Sequence, residues 1–416
     1  MTRGGHAPVR VGVFGLLGSG NLGNDGSLEA VLGYLRATHP EAVVDARCGG
    51  PEVVTARYGI PATRLHWYRG EYRTASRAGA IAAKGLGKLV DAFRTVAWAR
   101  RHDVVIVPGM GVLEATLPLR PWGFPYALFL LGVGGRLSRT RVALVSVGAG
   151  AITSRPTRTL VRWAARWADY RSYRDEPSRE AMRAMGVESA RDEVYPDLAF
   201  ALPTPRPPAS APAGAPGTVC VGVMAFHGGD DDRARAEEIH RRYLAGTIRF
   251  VRALVADGRP VRLLTGDGVD APVVAAIRAA VNSPLVTAAR TDSLADLMRE
   301  MAAADAVVAT RYHNLVCALK VGTPTLALSY APKSDTLMAH MGLAAYRHPA
   351  REVDADRLLD QFRALERDAV RVRHTLAERN QVVARRLEHQ FAALTRALFP
   401  ATDPTHTHTH TLREAP

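Results

Sequence analysis

Val307 to Asp335 reads VVATRYHNLVCALKVGTPTLALSYAPKSD, and its pattern decides the fold. It begins in a short apolar run, Ala306-Val307-Val308-Ala309, which predicts a buried strand. Thr310, Arg311, Tyr312, His313 and Asn314 then fall where a strand hands over to a helix. Leu315 to Leu319 continues as a short apolar helix, stopped by Gly322-Thr323-Pro324. A second strand over Thr325 to Ser329 ends in Tyr330, Pro332 and Lys333. Two successive parallel strands thus end in cationic residues, and open α/β sheets bind ligands at the carboxyl ends of their strands. Arg311, His313 and Lys333 are expected to meet at one crevice, two fixed cations beside a titratable imidazole. Such a site suits an anion that undergoes proton transfer. The plainer alternative is that Arg311 and His313 only cap the helix and satisfy backbone carbonyls.

The same alternation extends outward in both directions. Val9 to Phe14 reads as a strand that runs into a glycine-rich loop, Gly15 to Gly26, with Ser27 opening an amphipathic helix to about His39. Strands follow around Ala42 to Ala46, Asp103 to Val107, Arg141 to Val147 and Tyr170 to Tyr173, with helices at Arg158 to Ala168 and Ser178 to Met185. That order predicts a doubly wound parallel sheet in residues 1–202. Pro203 to Gly217, PTPRPPASAPAGAPG, predicts an extended linker. A second α/β half is expected over 218–350, with strands at Val219 to Met224 and Val261 to Thr265 and helices at Ala236 to Asp257 and Leu294 to Ala304. Residues 351–400 predict two or three helices, the longest packing back across the halves, and 401–416 a disordered tail of alternating histidines.

Composition limits the function. A chain of 416 residues with 47% hydrophobic content is long enough for two cores. The formal charge is +14, and lysine occurs only at 84, 88, 320 and 333, so arginine supplies nearly all of it. That balance predicts attraction to anionic substrates or to an anionic membrane surface. Aromatic content of 6% and the lack of a recognised module argue against nucleic acid. Cys48, Cys220 and Cys317 are widely separated, which fits reduced thiols in a cytoplasmic protein. The segment Phe124 to Val133 is too short to span a bilayer and reads as a buried or interfacial helix, and the first residues lack the apolar region of a secretion signal. No metal-ligand constellation, Walker loop or nucleophile elbow is present, and no cofactor is expected. Gly18-x-Gly20-x-x-Gly23 with Asp45 matches a dinucleotide fingerprint, but these glycines start beyond the strand end and lie among Asn21, Asn24 and Asp25, which that fingerprint does not need. A loop facing a polyhydroxylated or anionic ligand fits better.

Two similar α/β halves, a linker and C-terminal helices resemble a GT-B outline, two Rossmann-like halves facing each other. Within it, Thr310-Arg311-Tyr312-His313-Asn314, Gly322-Thr323-Pro324 and Ser329-Tyr330-Ala331-Pro332-Lys333 resemble the signature of the polysaccharide pyruvyl transferase family. Gly20-Asn21-Leu22-Gly23-Asn24-Asp25, Tyr173-Arg174-Asp175-Glu176-Pro177-Ser178 and Pro196-Asp197-Leu198-Ala199-Phe200 resemble further elements of it, in the same order. The chain departs from that pattern at Asn24-Asp25 and at Gly109-Met110-Gly111. The resemblance implies transfer of the carboxyvinyl-derived group of phosphoenolpyruvate to a sugar or lipid-linked glycan, leaving a pyruvate ketal. By position it implies Arg311, His313 and Arg174 as residues that bind phosphoenolpyruvate. His313 is then expected as general acid/base, Arg311 and Arg174 as anion clamps, Lys333 as phosphate support, and Asn21 and Asp25 as contacts to the acceptor sugar. The competing expectations are a GT-B glycosyltransferase using a nucleotide sugar, a non-catalytic glycan-binding relative, and a dinucleotide oxidoreductase.

Overall fold

The computed structural model describes residues 8–67, 77–111, 113, 121–205 and 217–399. Most of the proposed linker and the whole histidine tail lie outside these residues. The first sheet has seven parallel strands: β1 (Arg10–Gly15), β2 (Val43–Cys48), β3 (Ala62–Arg64), β4 (Val104–Pro108), β5 (Arg141–Val147), β6 (Tyr170–Tyr173) and β7 (Glu193–Val194), ordered β3-β2-β1-β4-β5-β6-β7. The second has six: β8 (Val219–Gly222), β9 (Val261–Leu264), β10 (Val286–Ala288), β11 (Ala306–Ala309), β12 (Thr325–Ser329) and β13 (Arg347–Pro349), ordered β10-β9-β8-β11-β12-β13. Central strands such as β4 (VVIVP) and β11 (AVVA) are buried throughout, because helices cover both faces of a parallel sheet. Strand order reverses between β1 and β4 and again between β8 and β11, which opens a crevice at the carboxyl end of each sheet.

The first half carries α1 (Leu22–Thr38), α2 (Pro51–Tyr58), α3 (Arg77–Ala99), α4 (Phe124–Ser138), α5 (Arg155–Arg166) and α6 (Glu176–Ala184). The second carries α7 (Ala236–Ala256), α8 (Ala271–Val281), α9 (Leu294–Ala302), α10 (Tyr312–Lys320) and α11 (Pro332–His340), followed by α12 (Ala355–Arg367) and α13 (Ala369–Leu398). Helix α1 starts five residues before the expected Ser27, because Asn21 caps it by accepting from the amides of Gly23 and Asn24. The low helix propensity of Gly23 and Gly26 is overridden by packing. Pro332, expected to close a strand, instead occupies the first turn of α11, where its missing N–H costs nothing.

Helix α13, 30 residues long, ties the halves together. Near its middle Asn380 Nδ2 donates to the carbonyl of Leu319 in the second half (2.9 Å). Further on, the buried Gln390 donates to the hydroxyls of Ser146 (2.7 Å) and Ser172 (3.0 Å) in the first. Phe391 stacks on Tyr34 with centroids 4.8 Å apart, and Arg141 donates to the carbonyl of Leu398 (2.8 Å).

Candidate active site

The carboxyl ends of β6 and β11 face each other across the boundary between the halves. Arg174 follows β6, and Asp197 follows β7 at the head of a short 3-10 turn, where its Oδ1 accepts from the amide of Ala199 (2.9 Å). From the other side come Tyr312 and His313 in the first turn of α10 and Lys333 in the first turn of α11. Oδ2 of Asp197 lies 3.6 Å from Nε2 of His313 and 3.7 Å from Nη1 of Arg174, so one carboxylate serves cationic groups from both halves. Burial pushes the Asp197 carboxyl up, but His313, Arg174 and the Ala199 amide outweigh it and hold the group below the usual carboxylate range. The Arg174 guanidinium also lies 4.4 Å from the centroid of the Tyr312 ring. Lys333 Nζ is 5.7 Å from that ring and 5.2 Å from Tyr330, so both aromatic faces are turned to cations.

His313 owes its position to glycine. A Cβ on Gly23 would overlap its imidazole, and one on Gly26 would overlap Leu294. Two glycines one turn apart on α1 therefore allow the second half to close on the first. Gly18 and Gly20, with φ of 67° and 93°, instead shape the preceding turn. Nε2 of His313 is buried toward Asp197, 3.6 Å from its Oδ2, and has no hydrogen-bond partner among the described residues.

The remaining expected residues sit elsewhere. Arg311 Nε and Nη2 donate to the two oxygens of the fully buried Asp270 (2.8 and 2.7 Å), and Nη1 lies 3.9 Å from Asp267. Asp270 also accepts from the amide of Ala225 (2.9 Å). Arg311 is thus held by acids of the second half, whereas its neighbour on α10, Tyr312, reaches Arg174. Asn21 spans the boundary, its Nδ2 donating to Asp267 (3.1 Å) while the Leu22 amide donates to the carbonyl of Gly266 (3.3 Å). Asp25 is buried, accepts from the Gly18 amide (2.7 Å), and is pushed above the usual carboxylate range by burial. Structure thus brings Arg174, His313 and Lys333 together, and sets Arg311, Asn21 and Asp25 around them. Asn314 is fully buried between Gly222 and Gly266, and neither its Oδ1 nor its Nδ2 has a hydrogen-bond partner among the described residues.

A cavity of about 280 Å³ opens beside this cluster, lined among others by Arg174, Asp197, Tyr312 and Lys333 and by Arg379 and Arg386 of α13. His313 is not part of that lining, but 15% of its side chain is exposed, so the ring is open to solvent beside the cavity. The two α13 arginines carried no local signal, since exposed arginines are common in this chain. Asp197 stood in a recognisable Pro-Asp element, but its ion-pair contact with His313 depends on contact between the halves. Chemically, the arrangement offers fixed cations for an anion and an imidazole steadied by a buried carboxylate. Among the described residues no group of His, Cys, Asp or Glu is placed to hold a metal ion.

Comparison with solved structures gives the fold. A Listeria monocytogenes protein assigned as a UDP-N-acetylglucosamine 2-epimerase superposes with a TM-score of 0.60 at 14% identity, over 93% of this chain and 96% of that one. The UDP-GlcNAc 2-epimerase from Neisseria meningitidis gives 0.55 at 11% identity, over 93% and 99%. MurG from Acinetobacter baumannii gives 0.54 at 15% identity, over 94% and 100%. At such identities the likeness establishes the GT-B fold, two parallel-sheet halves with C-terminal helices, and nothing finer. No curated protein matches the sequence. A family model described as polysaccharide pyruvyl transferase matches residues 21–332, a span that begins at the α1 cap and ends where α11 starts. With Arg174, Asp197, His313 and the α1 glycines Gly23 and Gly26 all inside that span, the chain belongs to the polysaccharide pyruvyl transferase family.

Proposed function

We propose that the protein transfers the pyruvyl group of phosphoenolpyruvate to two hydroxyls of a sugar, free or carried on a lipid-linked glycan, leaving a ketal and inorganic phosphate. The observation that carries this reading is His313 held by Asp197 beside Arg174 and Lys333. Phosphoenolpyruvate presents a carboxylate and a phosphate, anions that guanidinium groups grip in pairs. Protonation of its methylene carbon makes C2 electrophilic. An acceptor hydroxyl adds there as His313 takes its proton, the C2–O bond to phosphate breaks, and a second hydroxyl closes the ring. Of the two hydroxyl protons, one ends on the new methyl group and the other leaves with phosphate. Asp197 stabilises the imidazolium formed in passing. Asn21 and Asp25 would order the loop nearest the acceptor, and Arg311 would hold the floor of the donor site through Asp270. The three cysteines are free and buried, which suits a cytoplasmic enzyme.

Calorimetric titration with phosphoenolpyruvate, repeated on Arg174→Ala, tests the reading without knowledge of the acceptor. Saturable binding lost in the variant is expected. Heat from a UDP-sugar and none from phosphoenolpyruvate would move the protein to the nucleotide-sugar reading, and heat from NAD alone to dinucleotide binding.

A further inference from the structure

The outer face of the first half shows a surface that the cleft chemistry does not use. Leu86, Leu89 and Phe93 recur along one side of α3, and the last two are 69% and 77% exposed. Trp122 and Leu137, at either end of α4, are 62% and 72% exposed, and Trp163 of α5 is 39% exposed. The three helices lie side by side. Gly134 of α4 lets Val96 and Ala99 of α3 approach, and Gly132 does the same for Ala164 of α5 and Trp167 just after it. Tyr126 of α4 also donates to the carbonyl of Lys88 on α3 (3.3 Å). All three tryptophans exposed among the described residues fall on or beside this layer, since the amide of Trp67 donates to Asp91 of α3 (2.7 Å).

The charge on this layer has one sign. No Asp or Glu occurs from residue 121 to 168, a stretch that carries arginines at 136, 139, 141, 155, 158, 162 and 166. Within α3 the acidic residue is Asp91, which is buried and paired with His66 (3.1 Å) and Lys88 (3.4 Å). Lys84 within that helix and Arg100 just beyond its end are exposed. Monomeric soluble proteins seldom expose this much clustered apolar surface. No helix among the described residues is long and apolar enough to cross a membrane. Separate leucine and aromatic side chains on parallel helices, with arginines between them and tryptophans at the margin, match the interfacial layer of a bilayer bearing anionic headgroups.

We propose that α3, α4 and α5 form a docking face that lies on an anionic phospholipid surface, Leu89, Phe93 and Trp122 entering the headgroup layer while the arginines of α5 meet lipid phosphates. This assignment stands apart from the transfer chemistry and holds whether or not phosphoenolpyruvate is the donor.

The test is cosedimentation of the full-length protein with vesicles of phosphatidylcholine alone and with about 30% phosphatidylglycerol, at low and high salt. Two variants accompany it, Leu89→Ser with Phe93→Ser, and Arg155→Glu with Arg158→Glu, all at exposed positions so that thermal melts stay near wild type. Salt-sensitive binding to the anionic vesicles, reduced at least about tenfold in each double variant, is expected. Absence of vesicle binding, or equal binding by the variants, would overturn the proposal. So would a protein that ignores vesicles but forms a dimer abolished by Leu89→Ser with Phe93→Ser, since the face would then belong to a second copy.

Discussion

Gly23 and His313 leave no room between them: the imidazole lies where a Cβ on Gly23 would sit, so a helix start in one half sets the position of a titratable ring in the other. Substituting Gly23→Ala should push the ring away from Asp197 while leaving both sheets intact. A displacement near 1 Å at a reacting group costs about a hundredfold in rate. Turnover is therefore expected to fall by that order with donor affinity nearly unchanged, measured by phosphate release and calorimetry on the same sample. Unaltered turnover would show that His313 is not the proton carrier.

Two buried carboxylates should titrate with opposite effects on stability. The Asp197 carboxyl is held below its usual range, so its contribution is full above the unfolded value near ~3.9 and is lost as pH falls through the folded one. The Asp25 carboxyl is raised by burial, so its ionisation weakens the fold as pH rises from ~3.9 through its folded value. Asp197→Asn should destabilise the protein at pH 7 by on the order of 3 kcal/mol and flatten the acid limb of its stability curve. Asp25→Asn should be neutral or mildly stabilising at that pH. Urea titrations across the acid range check both signs.

Arg311→Ala removes the partner of a fully buried carboxylate and should cost about 3 kcal/mol. Adding Asp270→Asn should restore part of that loss, because the uncompensated charge disappears. Donor affinity measured on the double variant then separates a role in binding from a role in folding, which Arg311→Ala alone would confound.

The cavity wall contributed by α13 predicts that Arg379→Ala with Arg386→Ala weakens phosphoenolpyruvate binding about tenfold, a loss that shrinks at high salt. Both side chains are exposed, so the thermal midpoint should barely move. Unchanged affinity would confine the donor to groups inside residues 21–332.

How much of this was legible depends on how local each cause is. The β11–α10–β12 unit announced itself, because two apolar runs and a Gly-Thr-Pro stop lie within one short window. The start of α1 did not, since Gly23 and Gly26 weaken any helical pattern and their reason, the approach of His313 and Leu294, lies in the other half. Arg311 was readable as a cation at a strand end, whereas its capture by Asp270 was not, as that acid caps nothing by side chain and belongs to a different loop. Arg174, His313 and Lys333 were readable by position, but the carboxylate that joins two of them requires contact between β7 and α10 ends that no single window contains.

Helix α13 also dictates a timetable for synthesis. Gln390 fills the buried gap between Ser146 and Ser172, and Phe391 covers Tyr34, so the first half waits for residues translated only after both sheets. At about 5–20 residues per second the early sheet spends many seconds with that seam open. Premature termination before α13 should therefore yield a nascent chain whose first half is soluble only with chaperone help, even though every strand of both sheets has already been translated.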